Sequence, residues 1–165
     1  AAAVPPYVEP VALFVDPVAD EVLAAADRLR LRGVQLHGQV TPALLTALRA
    51  LRVTVSLRVA AGETVARATA LHGQVAGLVL DAAVPGEHGG TGCLADWAEA
   101  ARVREALPEV PVVLAGGLSP ANVAAAVRAV RPYAVDVASG VERAPGVKDP
   151  ELMRAFVEAV RRTDG

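Results

Sequence analysis

The chain has 165 residues, 53 % hydrophobic and only 3 % aromatic, with a formal net charge of −2. That length suits one domain spanning 1–165, and so few aromatics require a core of alanine, valine and leucine, as in helices packed on a parallel sheet. Interspersed charges without a basic patch give no argument for nucleic acid, no apolar run reaches membrane-spanning length, and the single cysteine, Cys93, allows no internal disulfide or cysteine metal site, which fits a reducing cytoplasm.

The first ten residues, AAAVPPYVEP, lack the basic and long apolar regions of a signal peptide. They read as the tail of a helix and a proline-rich connection. Val11–Val15 is a first strand, ended by Asp16-Pro17. A helix from Asp20 to Leu31 follows, with Gly33 closing it. Val34–Leu36 is a second strand, followed by His37-Gly38, and Thr41-Pro42 caps a helix to about Ala50. Val53–Val59 is a third strand, with Gly62-Glu63 opening a helix to about His72. Ala76–Leu80 is a fourth strand that delivers Asp81. A glycine-rich loop, Pro85–Gly92, leads to a helix over about Asp96–Leu107.

The stretch Pro111–Pro145 carries the most information. Pro111–Ala115 has the β-branched content of a buried parallel strand, and Gly116-Gly117 breaks it. Ser119-Pro120 reads as an N-cap and first helical position, opening a helix to Val130 that Pro132 stops. A sixth strand, Ala134–Ala138, runs into Ser139-Gly140, and a loop through Lys148-Asp149-Pro150 precedes a last helix, Glu151 to about Arg162. Six βα units in strict alternation predict a parallel sheet with right-handed crossovers. Spacing alone leaves open whether it is a doubly wound sheet or a barrel.

Ligands of parallel sheets collect at the C-terminal strand ends. Two glycine turns one βα unit apart, Gly116-Gly117 and Ser139-Gly140, expose backbone N–H groups that suit phosphate. The polar residues at these ends are His37, Arg58, Asp81, Asp136, Ser139 and Glu142, with the GGTG turn of Gly89–Gly92. Asp81, after Leu-Val-Leu and facing a glycine-rich loop, is placed for proton transfer or for capping a loop. His37 suits a hydrogen-bonded loop histidine or a catalyst. Asp136, inside its strand, satisfies a neighbouring loop or touches ligand. Trp97 reads as helix packing. Cys93 has no adjacent histidine or lysine to activate it. No metal-ligand spacing occurs; His72 and His88 are isolated.

VQLHG (Val34–Gly38), LVLDA (Leu78–Ala82), PGEHGGTG (Pro85–Gly92), Asp96-Trp97, LAGGLSPANV (Leu114–Val123) and DVASGVERAPGVKD (Asp136–Asp149) together resemble the phosphoribosylanthranilate isomerases of tryptophan biosynthesis. The resemblance runs in order from about Val11 to the C-terminus. It implies a (β/α)₈ TIM barrel of which this chain holds six βα units, in one domain that begins at the family's third strand. It implies an Amadori rearrangement of N-(5-phosphoribosyl)anthranilate to 1-(2-carboxyphenylamino)-1-deoxyribulose 5-phosphate, with no cofactor and no metal. In that enzyme Asp81 is the general acid that protonates the ribose ring oxygen. Gly116, Gly117, Ser139 and Gly140 belong to the phosphate turns, His37 lies near substrate, and Asp136 opens the last phosphate motif. The family's base, a cysteine in a KICG-type motif, has no counterpart here, and Cys93 does not replace it. These departures lead to the expectations that the chain alone is not competent and that it self-associates through open barrel edges. A non-catalytic phosphate-binding barrel and another phosphosugar enzyme of the same barrel group are the alternative readings.

Overall fold

The computed structural model describes residue 5, residues 7–82 and residues 94–163. Within them the expected alternation appears: β1 (Val11–Val15), α1 (Ala19–Leu29), β2 (Gly33–His37), α2 (Pro42–Ala47), β3 (Arg52–Arg58), α3 (Thr64–Ala70), β4 (Gly77–Asp81), α4 (Leu94–Ala106), β5 (Val112–Ala115), α5 (Val123–Val130) and β6 (Ala134–Val135). A 3₁₀ turn at Ser139–Val141 follows, then a short antiparallel pair, β7 (Glu142–Ala144) and β8 (Val147–Lys148), and α6 (Pro150–Arg161) closes the chain. The sequence pattern had suggested only a loop where β7 and β8 stand. Gly146, at φ 76°, makes their tight turn.

All five ladders of the main sheet are parallel, and the strand order is β1-β2-β3-β4-β5-β6. A doubly wound sheet reverses its order part-way; this one never does. Right-handed crossovers between consecutive neighbours put every helix on one face and leave the other to curl inward. Accordingly α3, α4, α5 and α6 pack in succession, each on the next. This is barrel winding, with six units.

Side-chain alternation along the strands then sorts the residues. Val34, Leu36, Val53, Val55, Leu57, Leu78, Leu80, Val112 and Leu114 face the helices and are buried against Val22, Leu44, Ala68, Val103, Val123 and Phe156. Trp97 belongs to this core, as its place in a helix suggested. The opposite, concave face carries the polar alternates, including Gln35, His37, Ser56 and Asp81. On β1 that face is Val11, Leu13 and Val15, which are 53, 57 and 65 % exposed. Among the described residues β1 ladders only with β2, and β6 only with β5.

Three local expectations are corrected. α1 is ended by Arg30 in the left-handed conformation (φ 53°), not by Gly33, which instead begins β2. α5 starts at Val123 with Asn122 as its cap residue, not at Pro120 after Ser119. Asn122 Oδ1 accepts from the Ser119 N–H at 2.8 Å, and its Nδ2 donates to the Gly117 carbonyl at 2.9 Å. The Ser119 carbonyl accepts from the N–H groups of Asn122 and Val123, so a hydrogen-bonded turn leads from Ser119 into the helix. The sixth strand stops at Val135, so Asp136 follows the strand; its N–H still reaches the Leu114 carbonyl at 2.9 Å. The Thr41 cap matches, its Oγ1 accepting from Leu44 N–H; Asp149, read from sequence only as loop, caps α6 by accepting from Glu151 and Leu152 N–H.

Candidate active site

β4 is buried along Gly77–Leu80 and emerges only at its last residue, Asp81. A carboxylate at that point is set by the strand's length. Asp81 lies in register between Arg58 of β3 and Ala115 of β5, and its carbonyl accepts from Val59 N–H at 2.9 Å.

His37 ends β2 on the same concave face. Its Nε2 lies 2.7 Å from Gln35 Nε2, two residues earlier on that face. With the amide nitrogen donating, Nε2 accepts and the ring proton sits on Nδ1. Asp16, at the end of β1, pins the loop behind His37. Its N–H donates to the His37 carbonyl at 3.0 Å, and its Oδ1 accepts from Gln39 N–H at 2.7 Å. Gly38 (φ 86°) takes a conformation natural to glycine, and a β-carbon there would also press on the Asp16 carboxylate.

The two glycine turns meet at the far side. Gly116 (φ 87°) and Gly117 (φ 62°) turn the chain out of β5, in a conformation natural to glycine. Asn122 then locks the turn through its two hydrogen bonds. Opposite, Ser139-Gly140 forms the 3₁₀ turn after β6. Among the described residues, the N–H groups of Gly117, Ser139 and Gly140 donate to no protein acceptor. The turn at Gly117 is separated from the α5 N-terminus by Leu118–Asn122, so the amides rather than the helix dipole dominate there.

One cavity of about 290 Å³ gathers these parts. His37, Asp81, Gly116, Gly117, Asp136, Ser139 and Gly140 all line it, so these seven candidates named from sequence face one space. Gln35, Ser56 and Leu118 line it too, and sequence reasoning gave them no role. Arg58 is exposed at the end of β3, and Glu142 turns away to Lys148. The Lys148 ammonium holds the Glu142 carboxyl below its ordinary range, helped by the Gly146 amide. Cys93, His88 and the GGTG turn lie outside the described residues. A wider, shallower groove of about 600 Å³ runs past Asp16, Gln39 and Thr41, but its one carboxylate already serves the loop behind His37. Among the described residues no group of three or more histidine, cysteine or carboxylate side chains is set to hold a metal ion, and no helix is long and apolar enough to cross a membrane.

Fold and strand-end cavity together define an α/β protein of the TIM-barrel type. Residues 1–159 match the family model described as N-(5'phosphoribosyl)anthranilate (PRA) isomerase. The N-(5'-phosphoribosyl)anthranilate isomerase of Pseudomonas fluorescens is 42 % identical over 163 residues, covering 99 % of this chain and 75 % of the relative. The crystal structure of phosphoribosyl anthranilate isomerase from Thermotoga maritima superposes with a TM-score of 0.85 at 31 % identity, covering 98 % of this chain and 77 % of that one. A further structure of the isomerase, in complex with reduced 1-(o-carboxyphenylamino)-1-deoxyribulose 5-phosphate, gives 0.81 at 30 % identity, with 98 % and 75 % covered. The chain belongs to the phosphoribosylanthranilate isomerase family, and its activity is that of an isomerase in tryptophan biosynthesis. The motif reading is borne out, and the comparisons lend no support to the expectation that the chain lacks competence.

Proposed function

We propose that this cavity is where N-(5-phosphoribosyl)anthranilate undergoes its Amadori rearrangement, with Asp81 as the general acid. Asp81 protonates the ribose ring oxygen, the C1–O bond breaks with its electrons going to that oxygen, and the nitrogen lone pair completes a protonated imine. The amides of Gly117, Ser139 and Gly140, with Gly116 shaping the turn, take the phosphate at the opposite wall. His37 and Asp136 face the sugar between them. One observation carries the reading: the Asp81 carboxyl-bearing side chain and two amide-rich turns share a single cavity of about 290 Å³. Backbone amides suit a phosphate because they bring partial positive charge with no side chain to reorganise.

Asp81→Asn tests the assignment, since it keeps the shape and removes the proton. Turnover should fall by ~10²–10⁴-fold, the usual contribution of an acid–base group, while the reduced product still binds. Near-native kcat would sink it.

The same reading treats the six units as one domain around one core, working in the cytoplasm on a small phosphosugar. Its open sheet edges favour association with a second copy. Val11, Leu13 and Val15 present apolar surface beside the unladdered side of β1.

A further inference from the structure

Lys148 ends β8, behind the Ser139-Gly140 turn. Its Nζ donates to the Ala138 carbonyl at 2.7 Å and to Glu142 Oε1 at 2.7 Å. Glu142 Oε2 accepts from the Gly146 N–H at 3.1 Å, and Asp149 N–H reaches the Val141 carbonyl at 2.8 Å. The hairpin is therefore tied to both sides of the 3₁₀ turn, and its one direct grip on the residue before Ser139 is the lysine.

We propose that Lys148 is a positioning residue for phosphate: by holding the Ala138 carbonyl, it aims the Ser139 amide into the cavity. The proposal rests on the phosphate reading of the two turns. The peptide joining Ala138 to Ser139 is trans, and in a trans unit the C=O and N–H point to opposite sides. A carbonyl tethered toward the hairpin leaves the Ser139 N–H directed the other way, toward the cavity that Ala138 and Ser139 both line. Glu142 completes the device by holding the ammonium in place, and the hydrogen bond at its other oxygen fixes the hairpin turn. Three parts of the DVASGVERAPGVKD run, which as sequence looked like a phosphate motif and its tail, thus form one brace.

The competing account is that Lys148 merely adds positive charge near the phosphate, and Glu142 separates the two. Removing its charge in Glu142→Gln would tighten anion binding if attraction were all that mattered. If Lys148 positions the turn, the same change frees the lysine and weakens binding.

The test is calorimetric titration of the folded variants with inorganic phosphate, with the reduced product, and with its dephosphorylated form. Lys148→Met should raise Kd for the two phosphate-bearing probes about tenfold or more, the scale of one hydrogen bond to a charged group. It should leave the dephosphorylated probe unchanged and raise KM more than it lowers kcat. Lys148→Arg should restore most of the affinity, and Glu142→Gln should weaken it. Tighter phosphate binding by Glu142→Gln, or unchanged affinity in Lys148→Met, overturns the proposal. Gly117→Val serves as the control on the underlying reading. If it too leaves phosphate affinity unchanged, the phosphate site itself is misplaced; if it weakens binding while Lys148→Met does not, only the role of Lys148 falls.

Discussion

A β-carbon placed on Gly140 would stand 1.8 Å from the carbonyl oxygen of Leu118 and 2.8 Å from its carbonyl carbon. The turn after β6 therefore rests directly on the turn after β5, backbone against backbone. Gly140 is needed for close approach, whereas Gly117 is needed for its positive φ: at 62° it has nothing within 4 Å of the β-carbon position.

The two glycines should thus respond differently to alanine. Gly117→Ala costs about 1–2 kcal/mol of left-handed strain and leaves the turns in contact. Gly140→Ala has no flexible side chain to displace, so one turn must move off the other. That displacement should widen the cavity, weaken phosphate binding by about tenfold or more, and lower Tm further than Gly117→Ala does, since overpacking typically costs ~1–3 kcal/mol or more. Calorimetry and thermal melts of the two variants check this. Equal behaviour of the pair would refute the contact.

The open side of β1 yields a second expectation. Under the proposed association with a second copy, Val11, Leu13 and Val15, on a strand that among the described residues ladders only with β2, would be a template for pairing. Sedimentation over a range of concentrations should find a growing associated fraction. Leu13→Lys should reduce it, because a charge at the concave edge opposes burial. A concentration-independent monomer would argue against self-association.

Much of this was legible because strand periodicity and glycine turns are local signals. The run Leu-Val-Leu-Asp gave both β4 and the carboxylate at its end, since a strand buried on both faces must be apolar until it emerges. The six-unit alternation was equally plain, but barrel winding was not, because strand order is a property of the assembled sheet. Two kinds of feature stayed hidden. α5 begins at Val123 rather than at Pro120, after a turn in which the Asn122 side chain ties Ser119 to Gly117. Lys148 and Gln35 matter through partners they meet only after folding: Ala138, ten residues away, and the ring of His37, at the next position on the same strand face. The pairing of Gln35 with His37 had a readable signal, because i and i+2 share a strand face.

The last expectation concerns acid stability and rests on Glu99, in α4, whose side chain is 1 % exposed. Its Oε2 accepts from Arg102 Nε at 2.9 Å and from Arg102 Nη2 at 2.5 Å. Oε1 is buried, with no hydrogen-bond partner at close range among the described residues. The Arg102 bond holds the Glu99 carboxyl below its ordinary value of 4.5 against the opposing effect of burial, and the nearby amides of Gly62 and Val65 act in the same direction as Arg102. A carboxyl whose folded pKa is lowered contributes stability that is complete above its unfolded value and is lost as pH falls through the folded one. Glu99→Gln keeps the volume and removes the charge, so at pH 7 it should destabilise by about 1–3 kcal/mol. The low end is expected, because the Arg102 side chain is 56 % exposed and water screens the pair. The gap between wild type and variant should then shrink as pH drops below 4.5 and vanish once Glu99 is protonated in the folded protein. Glu142, lowered in the same direction, is present in both proteins and cancels from the difference. Urea denaturation midpoints of the two proteins, taken stepwise from pH 7 to acid, measure that gap directly. A gap that stays constant through the acid range would mean that Glu99 contributes by shape and packing alone, and that its pairing with Arg102 adds nothing to the stability of the α3–α4 layer.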